Sequence, residues 1–261
     1  LFAERKDYMP LKRKATPLHN ETKDHWYSNW FNTDFYHLLY KGHDYQEARV
    51  FMDKITSYLN LPEEGSILDV ACGRGRHSIY LNSLGYNVTG IDISEKSIQY
   101  AKKYENPTLK FQLHDMCEIF PKQFDAVFNL FTSFGYFEED KDNLNALKAF
   151  KANLNKTGFG VIDFMNVNWV INNLVPNETK TVEGIDFHIQ KYFKDNYIYK
   201  EIIFEFEGKP QHFTERVKAM NLKDFERLFE KADIYLLDIF GDYKLSKFDS
   251  ENSERLIMIF K

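Results

Sequence analysis

Two kinds of hydrophobic periodicity divide the chain. From residue 66 to 165, short apolar runs of strand length alternate with stretches of helical spacing. SILDVA, YNVTGID, TLKFQLHD, FDAVFNLF and FGVIDFM read as five strands. Between them, the stretch from Arg76 to Gly85, the segment SEKSIQYAKKY and the segment EEDKDNLNALKAFKANL read as helices. Ser94 is placed to cap the second. Leu144, Leu147, Phe150 and Leu154 form one face of the third, whose acidic first turn suits the helix dipole. Strands alternating with helices predict parallel β-α-β units with right-handed crossovers, the open doubly wound α/β class.

The flanks follow other rules. Residues 22–60 have helical spacing, with Ala48, Phe51, Met52, Ile55, Tyr58 and Leu59 on one stripe that Leu61-Pro62 ends. Residues 185–193, 196–206 and 211–219 alternate with period two and predict a half-buried, three-stranded antiparallel sheet. NLKDFERLFEKA then reads as a helix, and IYLLDIF and ERLIMIF as two strands joined by a loop, hence antiparallel. The expected organisation is a mobile arm (1–21), an N-terminal helical region (22–62), a core (63–166 and 219–261) and a β insertion (167–218).

Composition narrows the function. The 261 residues carry 34 Lys and Arg against 39 Asp and Glu, a formal net charge of −5. That argues against a sequence-independent grip on nucleic acid, which needs a basic face. Cys72 and Cys117 are the only cysteines, so there is no disulfide framework and no four-ligand zinc site. No apolar run reaches the ~18 residues of a membrane span, and the first residues lack the apolar stretch of a signal peptide. A reducing, cytoplasmic setting is expected, with no membrane partner and no bound metal.

In open α/β sheets, ligands sit beyond the carboxyl ends of the strands. After the first strand comes Asp69-Val70-Ala71-Cys72-Gly73-Arg74-Gly75-Arg76-His77, whose small residues allow a sharp turn and close backbone approach. The second strand ends at Asp92, followed by Ile93; an acid there can accept both hydroxyls of a ribose. The third ends in His114-Asp115-Met116, an acid for an adenine amino group beside an apolar cover. The fourth runs from Asn129 and Leu130 into Phe131-Thr132-Ser133-Phe134-Gly135-Tyr136-Phe137. Each has a plainer reading as a turn, cap or packed loop. Jointly they describe a site for an adenosine with a short charged tail. A nicotinamide dinucleotide fits less well: the third glycine of its fingerprint is Ser78 here, and no second mononucleotide half follows.

The run ILDVACGRGRHS, followed in order by VTGIDIS, HDM and FDAVFNLF, resembles the class I S-adenosylmethionine-dependent methyltransferases over residues 66 to 165. The lead-in WYSNWFNTDFYHLLY and the tail resemble a bacterial small-molecule subset. The resemblance implies a Rossmann-like, seven-stranded sheet of order 3-2-1-4-5-7-6 with strand seven antiparallel. It implies S-adenosyl-L-methionine as cofactor, S-adenosyl-L-homocysteine as product, and a small-molecule acceptor methylated on N, O or C by in-line displacement. Ala71, Cys72, Gly73 and Gly75 would lie under the methionine part, with Asp69 orienting that loop. Asp92 would hold the ribose, Ile93 would pack on adenine, and Asp115 and Met116 would meet its edge. Asn129 and Leu130 would lie beside the sulfonium. Where the family often has glycine this chain has Ala71, which is tolerable if the backbone there is extended. The chain also lacks the Asn/Asp-Pro-Pro-Tyr signature of many nucleic-acid amino methylases. Rival readings are a non-catalytic module for the same ligands and a nicotinamide-dependent oxidoreductase.

Other candidates are ranked behind these. Arg74 is favoured over Arg76 to meet the ligand carboxylate, and His77 is a further contact candidate. Eight of the 20 residues from 26 to 45 are aromatic, which suggests a lid over the cofactor, with Trp30 and Tyr40 its foremost contacts. Tyr136 is the one candidate for touching the acceptor. His37, His43, His188 and His212 are candidate bases, each more readily a surface histidine. Glu215, Arg216, Tyr192, Tyr197 and Tyr199 could face the substrate from the insertion.

Overall fold

A computed structural model describes residues 26–41 and 45–261. The expected arm, the start of the helical region and His43 lie outside the described residues.

Helices α1 (Trp26–Phe31), α2 (Asp34–Leu39) and α3 (Tyr45–Leu59) come first. The stripe on α3 packs as its spacing demands: Ala48, Phe51, Met52, Ile55 and Leu59 are buried. Tyr58, placed on that stripe by spacing, is exposed instead and donates to Asp238. Its hydroxyl favours the wet edge, where a partner is available.

The core then alternates as the pattern requires: β1 (Ser66–Val70), α4 (Arg76–Ser83), β2 (Asn87–Asp92), α5 (Glu95–Ala101), β3 (Leu109–Leu113), β4 (Phe124–Asn129), α6 (Asp140–Ala152) and β5 (Leu154–Met165). Central strands covered on both faces read as continuous apolar runs; four of the five β1 residues and five of the six in β4 are buried. Ser94 caps α5 by accepting from Ser97 N at 3.2 Å.

After the short helix α7 (Val167–Asn172) the chain forms a second sheet from β6 (Asn177–Val182), β7 (Ile185–Lys194), β8 (Tyr197–Phe206) and β9 (Lys209–Lys218). This sheet has four antiparallel strands rather than three. The added edge strand, NETKTV, has five exposed residues in six, so no hydrophobic alternation announces it. Backbone pairing to β7 makes it.

The chain returns through α8 (Leu222–Ala232), β10 (Leu236–Phe240) and β11 (Arg255–Phe260). The large sheet has the order β3-β2-β1-β4-β5-β11-β10, and β11 runs antiparallel to both neighbours. That is the expected 3-2-1-4-5-7-6 arrangement.

One ring packs this sheet beneath the turn that follows β1. Asp69, Gly90 and Phe111 lie abreast on β1, β2 and β3. A Cβ built on Gly90 would stand 2.7 Å from the Phe111 ring, and one on Gly75 would stand 2.5 Å from it. Phe111, fully buried, takes the space of two missing side chains.

Candidate active site

The turn between β1 and α4 is built from left-handed backbone. Ala71, Gly73 and Gly75 have φ of 59°, 55° and 81°. Ala71 is therefore not extended, as its side chain would prefer; it holds a conformation that costs a non-glycine residue about 1–2 kcal/mol. Nothing lies within 4 Å of a Cβ built on Gly73, so its backbone presents an open face. Asp92 ties this turn to the end of β2: Gly73 N donates to it at 2.8 Å and Ser94 N at 2.7 Å. Burial raises the Asp92 carboxyl above its usual range. Asp69 is buried behind the turn and accepts from Ser78 Oγ at 2.5 Å. Burial pushes its pKa up to about 7.

Two cavities meet over this turn. The first, about 90 Å³, is lined by Ala71, Gly73, Asp92, Ile93, Asp115 and Met116 together with Tyr27, Phe31, Tyr36 and Tyr136. It brings together residues from four successive loops that the sequence places in one site. The second, about 610 Å³, shares Ala71, Gly73, Phe31, Tyr36 and Tyr136, and adds Asp69, Cys72, Arg74, Arg76, His77, Leu130 and Tyr40. Its far wall is the small sheet, through Lys191, Lys200, Glu215 and Val217.

Tyr136 stands where the cavities join. Its ring packs on Trp26, Tyr27 and Phe31 at centroid distances of 5.5, 6.1 and 5.5 Å, and its hydroxyl donates to Thr132 O at 2.8 Å. Burial raises its pKa far above the ordinary value, so at neutral pH it is a phenol and not a base.

The helical region closes on the small sheet through one carboxylate. Glu215 accepts from Trp30 Nε1 at 2.7 Å and from Tyr40 Oη at 2.6 and 2.7 Å. Lys200 donates to Tyr40 Oη and lies 3.7 Å from Glu215. Trp30 lines neither cavity. It is 1% exposed, in a cluster with Leu39, Phe187, Ile189, Ile202 and Phe204, with Phe213 at 4.4 Å. Its indole ring is spent on packing while its N–H takes the Glu215 carboxylate.

Beneath the β4 loop sits a buried polar network. Phe131 and Thr132 both have left-handed φ, 57° and 58°. Asp163, fully buried on β5, accepts from Phe131 N at 2.9 Å, Tyr243 Oη at 3.1 Å and Arg255 Nε at 2.7 Å. Arg255 also donates to Thr132 Oγ1 at 3.0 Å. Asn129 lines neither cavity; it is buried and its amide bridges the carbonyls of Val70 and Ser133 at 3.3 and 3.2 Å.

The remaining candidates divide between the rim of the second cavity and the outside of the small sheet. Arg74 reaches Asp34 at 3.7 Å and lies over the Tyr100 ring at 4.5 Å, while Arg76 lies over Phe131 at 4.5 Å. His77 is buried and stacks on Phe131 at 5.0 Å; burial pushes its pKa down to about 3. His37 faces the second cavity and is lowered to about 4, again by burial. His188 contacts Thr179 Oγ1, and His212 pairs with Glu201, both on the outer part of the small sheet. Arg216 pairs with Glu138 at 2.7 Å; Tyr192 and Tyr199 stack at 4.9 Å. Asp163, Arg255, Tyr243, Lys191 and Lys200 escaped the sequence reading. Among the described residues no three His, Cys, Asp or Glu side chains are grouped to hold a metal, and no helix is long and apolar enough to cross a membrane.

The geometry has counterparts among known proteins. Residues 67–158 match the family model described as methyltransferase domain. The chain is 28% identical over 237 residues to the putative methyltransferase YqeM of Bacillus subtilis, covering 84% of this chain and 95% of that protein. It is 28% identical over 171 residues to the dTDP-3-amino-3,4,6-trideoxy-alpha-D-glucopyranose N,N-dimethyltransferase of Streptomyces venezuelae, covering 61% of this chain and 70% of that protein. A solved S-adenosylmethionine-dependent methyltransferase from Clostridium acetobutylicum superposes with a TM-score of 0.73 at 20% identity, over 89% of this chain and 98% of that one.

Proposed function

The chain belongs to the class I S-adenosylmethionine-dependent methyltransferases, and from that premise we propose that it methylates a small molecule held in the second cavity, with the cofactor's adenosine in the first. The carrying observation is the continuity of the two cavities across Ala71, Gly73 and Tyr136.

The residues fit the cofactor. The open face at Gly73 leaves room for a ligand against bare backbone. Asp92 already accepts two amide hydrogens, yet a carboxylate has about four acceptor sites, so it can also take the ribose hydroxyls. Ile93 and Met116 would cover the adenine, with Asp115 at its amino edge. Ala71, Cys72 and Gly73 would underlie the methionine part, and Leu130 would border the sulfur.

Bound there, S-adenosylmethionine supplies an electrophilic methyl on a cationic sulfur. The chain's own work is alignment and exclusion of water. The rings of Phe31, Tyr36 and Tyr136 wall the junction, and their faces favour a cation. The β4 loop, fixed by Asp163, sets the floor. The aminosugar substrate in the name of the Streptomyces venezuelae relative supports nitrogen in a small molecule as the acceptor atom.

Incubation with methyl-labelled cofactor and a metabolite extract tests this. Label should appear in a metabolite with wild-type protein, and transfer should fall when Tyr136 becomes alanine. Label recovered in nucleic acid or protein, and in no metabolite, would refute the small-molecule reading.

A further inference from the structure

One row of the small sheet is out of keeping with its surroundings. Register places Lys191, Lys200 and Glu215 side by side across β7, β8 and β9. The row before it on the same face is Ile189, Ile202 and Phe213, and the row after it is Phe193, Ile198 and Val217. All three charged residues line the second cavity. The Lys191 and Lys200 side chains are only 30% and 18% exposed. Two like charges directly opposite on neighbouring strands destabilise a sheet, and partial burial sharpens the cost.

The neighbours offset it only in part. Lys191 pairs with Glu178 at 2.9 Å, and Lys200 leans on Glu215 at 3.7 Å. Lys180, on the same face through its register with Phe187, donates to Leu39 O at 2.8 Å. Three ammonium groups thus face two carboxylates. Glu215 also accepts from Trp30 and Tyr40, and its single charge serves one lysine, so the cluster keeps one net positive charge. An ammonium has three donors, and among the described residues Lys191 has one carboxylate partner, which leaves it donors for a ligand.

Resting on the methyltransferase reading, we propose that the methyl acceptor carries an anionic group, a carboxylate or a phosphate, which binds between Lys191 and Lys200. The anion would relieve the like-charge pair. It would hold the acceptor on the small-sheet wall with its nucleophilic end toward Tyr136.

Thermal unfolding at constant ionic strength tests this. The first step is titration with S-adenosylhomocysteine; if it produces no stabilisation, the cofactor reading itself fails. The saturated protein is then titrated with sodium phosphate and, separately, sodium acetate. At least one anion should raise the midpoint in a saturable way. The stronger of the two indicates which group the acceptor carries. Lys191→Gln and Lys200→Gln should each weaken that response roughly tenfold, the scale of one charged hydrogen bond. Lys200→Arg, which keeps the charge, should retain most of it, and exposed Lys194→Gln should match wild type. With the S-adenosylhomocysteine response intact, either of two results overturns the anion site alone: no saturable response to either anion, or a wild-type response in either glutamine variant.

Discussion

The two cavities share a wall but are made in different ways. The first rests on a backbone turn, with left-handed residues at 71, 73 and 75, amides held by Asp92 and an open face at Gly73, and its other walls come from the loops that follow successive strands and from α1 and α2. The second is a product of side chains brought from far apart. Tyr40 and Glu215 are 175 residues apart, Tyr40 and Lys200 are 160, and Thr132 and Arg255 are 123. A site with a backbone floor and sequence-local walls fits a ligand that never changes. A side-chain-built site can be rewritten for new acceptors without disturbing the first.

Substitutions can break that contrast, beginning where the second cavity is most deeply rooted. Asp163→Ala should cost about 3–5 kcal/mol of stability, because it leaves Arg255 without its buried partner; urea unfolding measures it. A loss under 1 kcal/mol would mean that the network under the β4 loop is ornamental. Glu215→Ala should cost about 3 kcal/mol, since Trp30 and Tyr40 lose an acceptor and Lys200 its ion partner in a largely buried place. It should also weaken cofactor binding, because α1 and α2 wall both cavities; calorimetry with S-adenosylhomocysteine would detect this.

Changes in the first cavity should be smaller in stability and larger in cofactor affinity. Asp92→Ala should weaken S-adenosylhomocysteine binding by about 1–3 kcal/mol. Unchanged affinity would remove Asp92 from the ribose. Asp69 and His77 should oppose each other in pH dependence. The folded pKa of His77 is about 3 against an ordinary 6.5, so between those values the unfolded chain holds the extra proton and stability rises with pH. Asp69 is about 7 against 3.8, so there the folded chain holds it and stability falls as pH rises. Replacing His77 with glutamine should remove the rising contribution, about 1.4 kcal/mol per pH unit at most. Stability of the variant measured between pH 4 and 6.5 should then decline relative to wild type as pH rises. Ala71→Gly should have the smallest effect: relief of about 1–2 kcal/mol of left-handed strain, less about 0.5–1 kcal/mol of glycine entropy. A small net gain in unfolding free energy is expected, and a loss would show that the Ala71 methyl has a role in packing.

The same contrast explains what was legible in the sequence. The first cavity's determinants follow successive strands, so Asp92, Asp115 and Met116 can be named from position, and Ile93 from the resemblance. The sheet order followed from alternation and resemblance together. Ala71 was misjudged in conformation because residue type does not report φ. Trp30 was misplaced because periodicity says that a ring is buried but not against what. Asp163 lies inside an apolar run, and its partners Tyr243 and Arg255 come 80 and 92 residues later. Lys191 and Lys200 look like ordinary strand lysines until register sets them abreast. Strand β6 had no apolar signal to read.

Phe111 has a consequence for how relatives of this chain can vary. Its ring fills space that side chains at positions 75 and 90 would otherwise claim. At position 75 the left-handed backbone independently favours glycine. Position 90 is an ordinary strand residue, and its glycine answers to the ring and to Cys72 Sγ, which would stand 2.9 Å from the same Cβ. The two sites should therefore drift as a pair. A lineage that first shrinks the ring at 111 removes the nearest obstacle to a side chain at position 90 and leaves Cys72 Sγ as the remaining one; one that enlarges 90 first meets both beneath the β1 turn. The order of mutations, and not only their identity, would then be constrained at this end of the sheet.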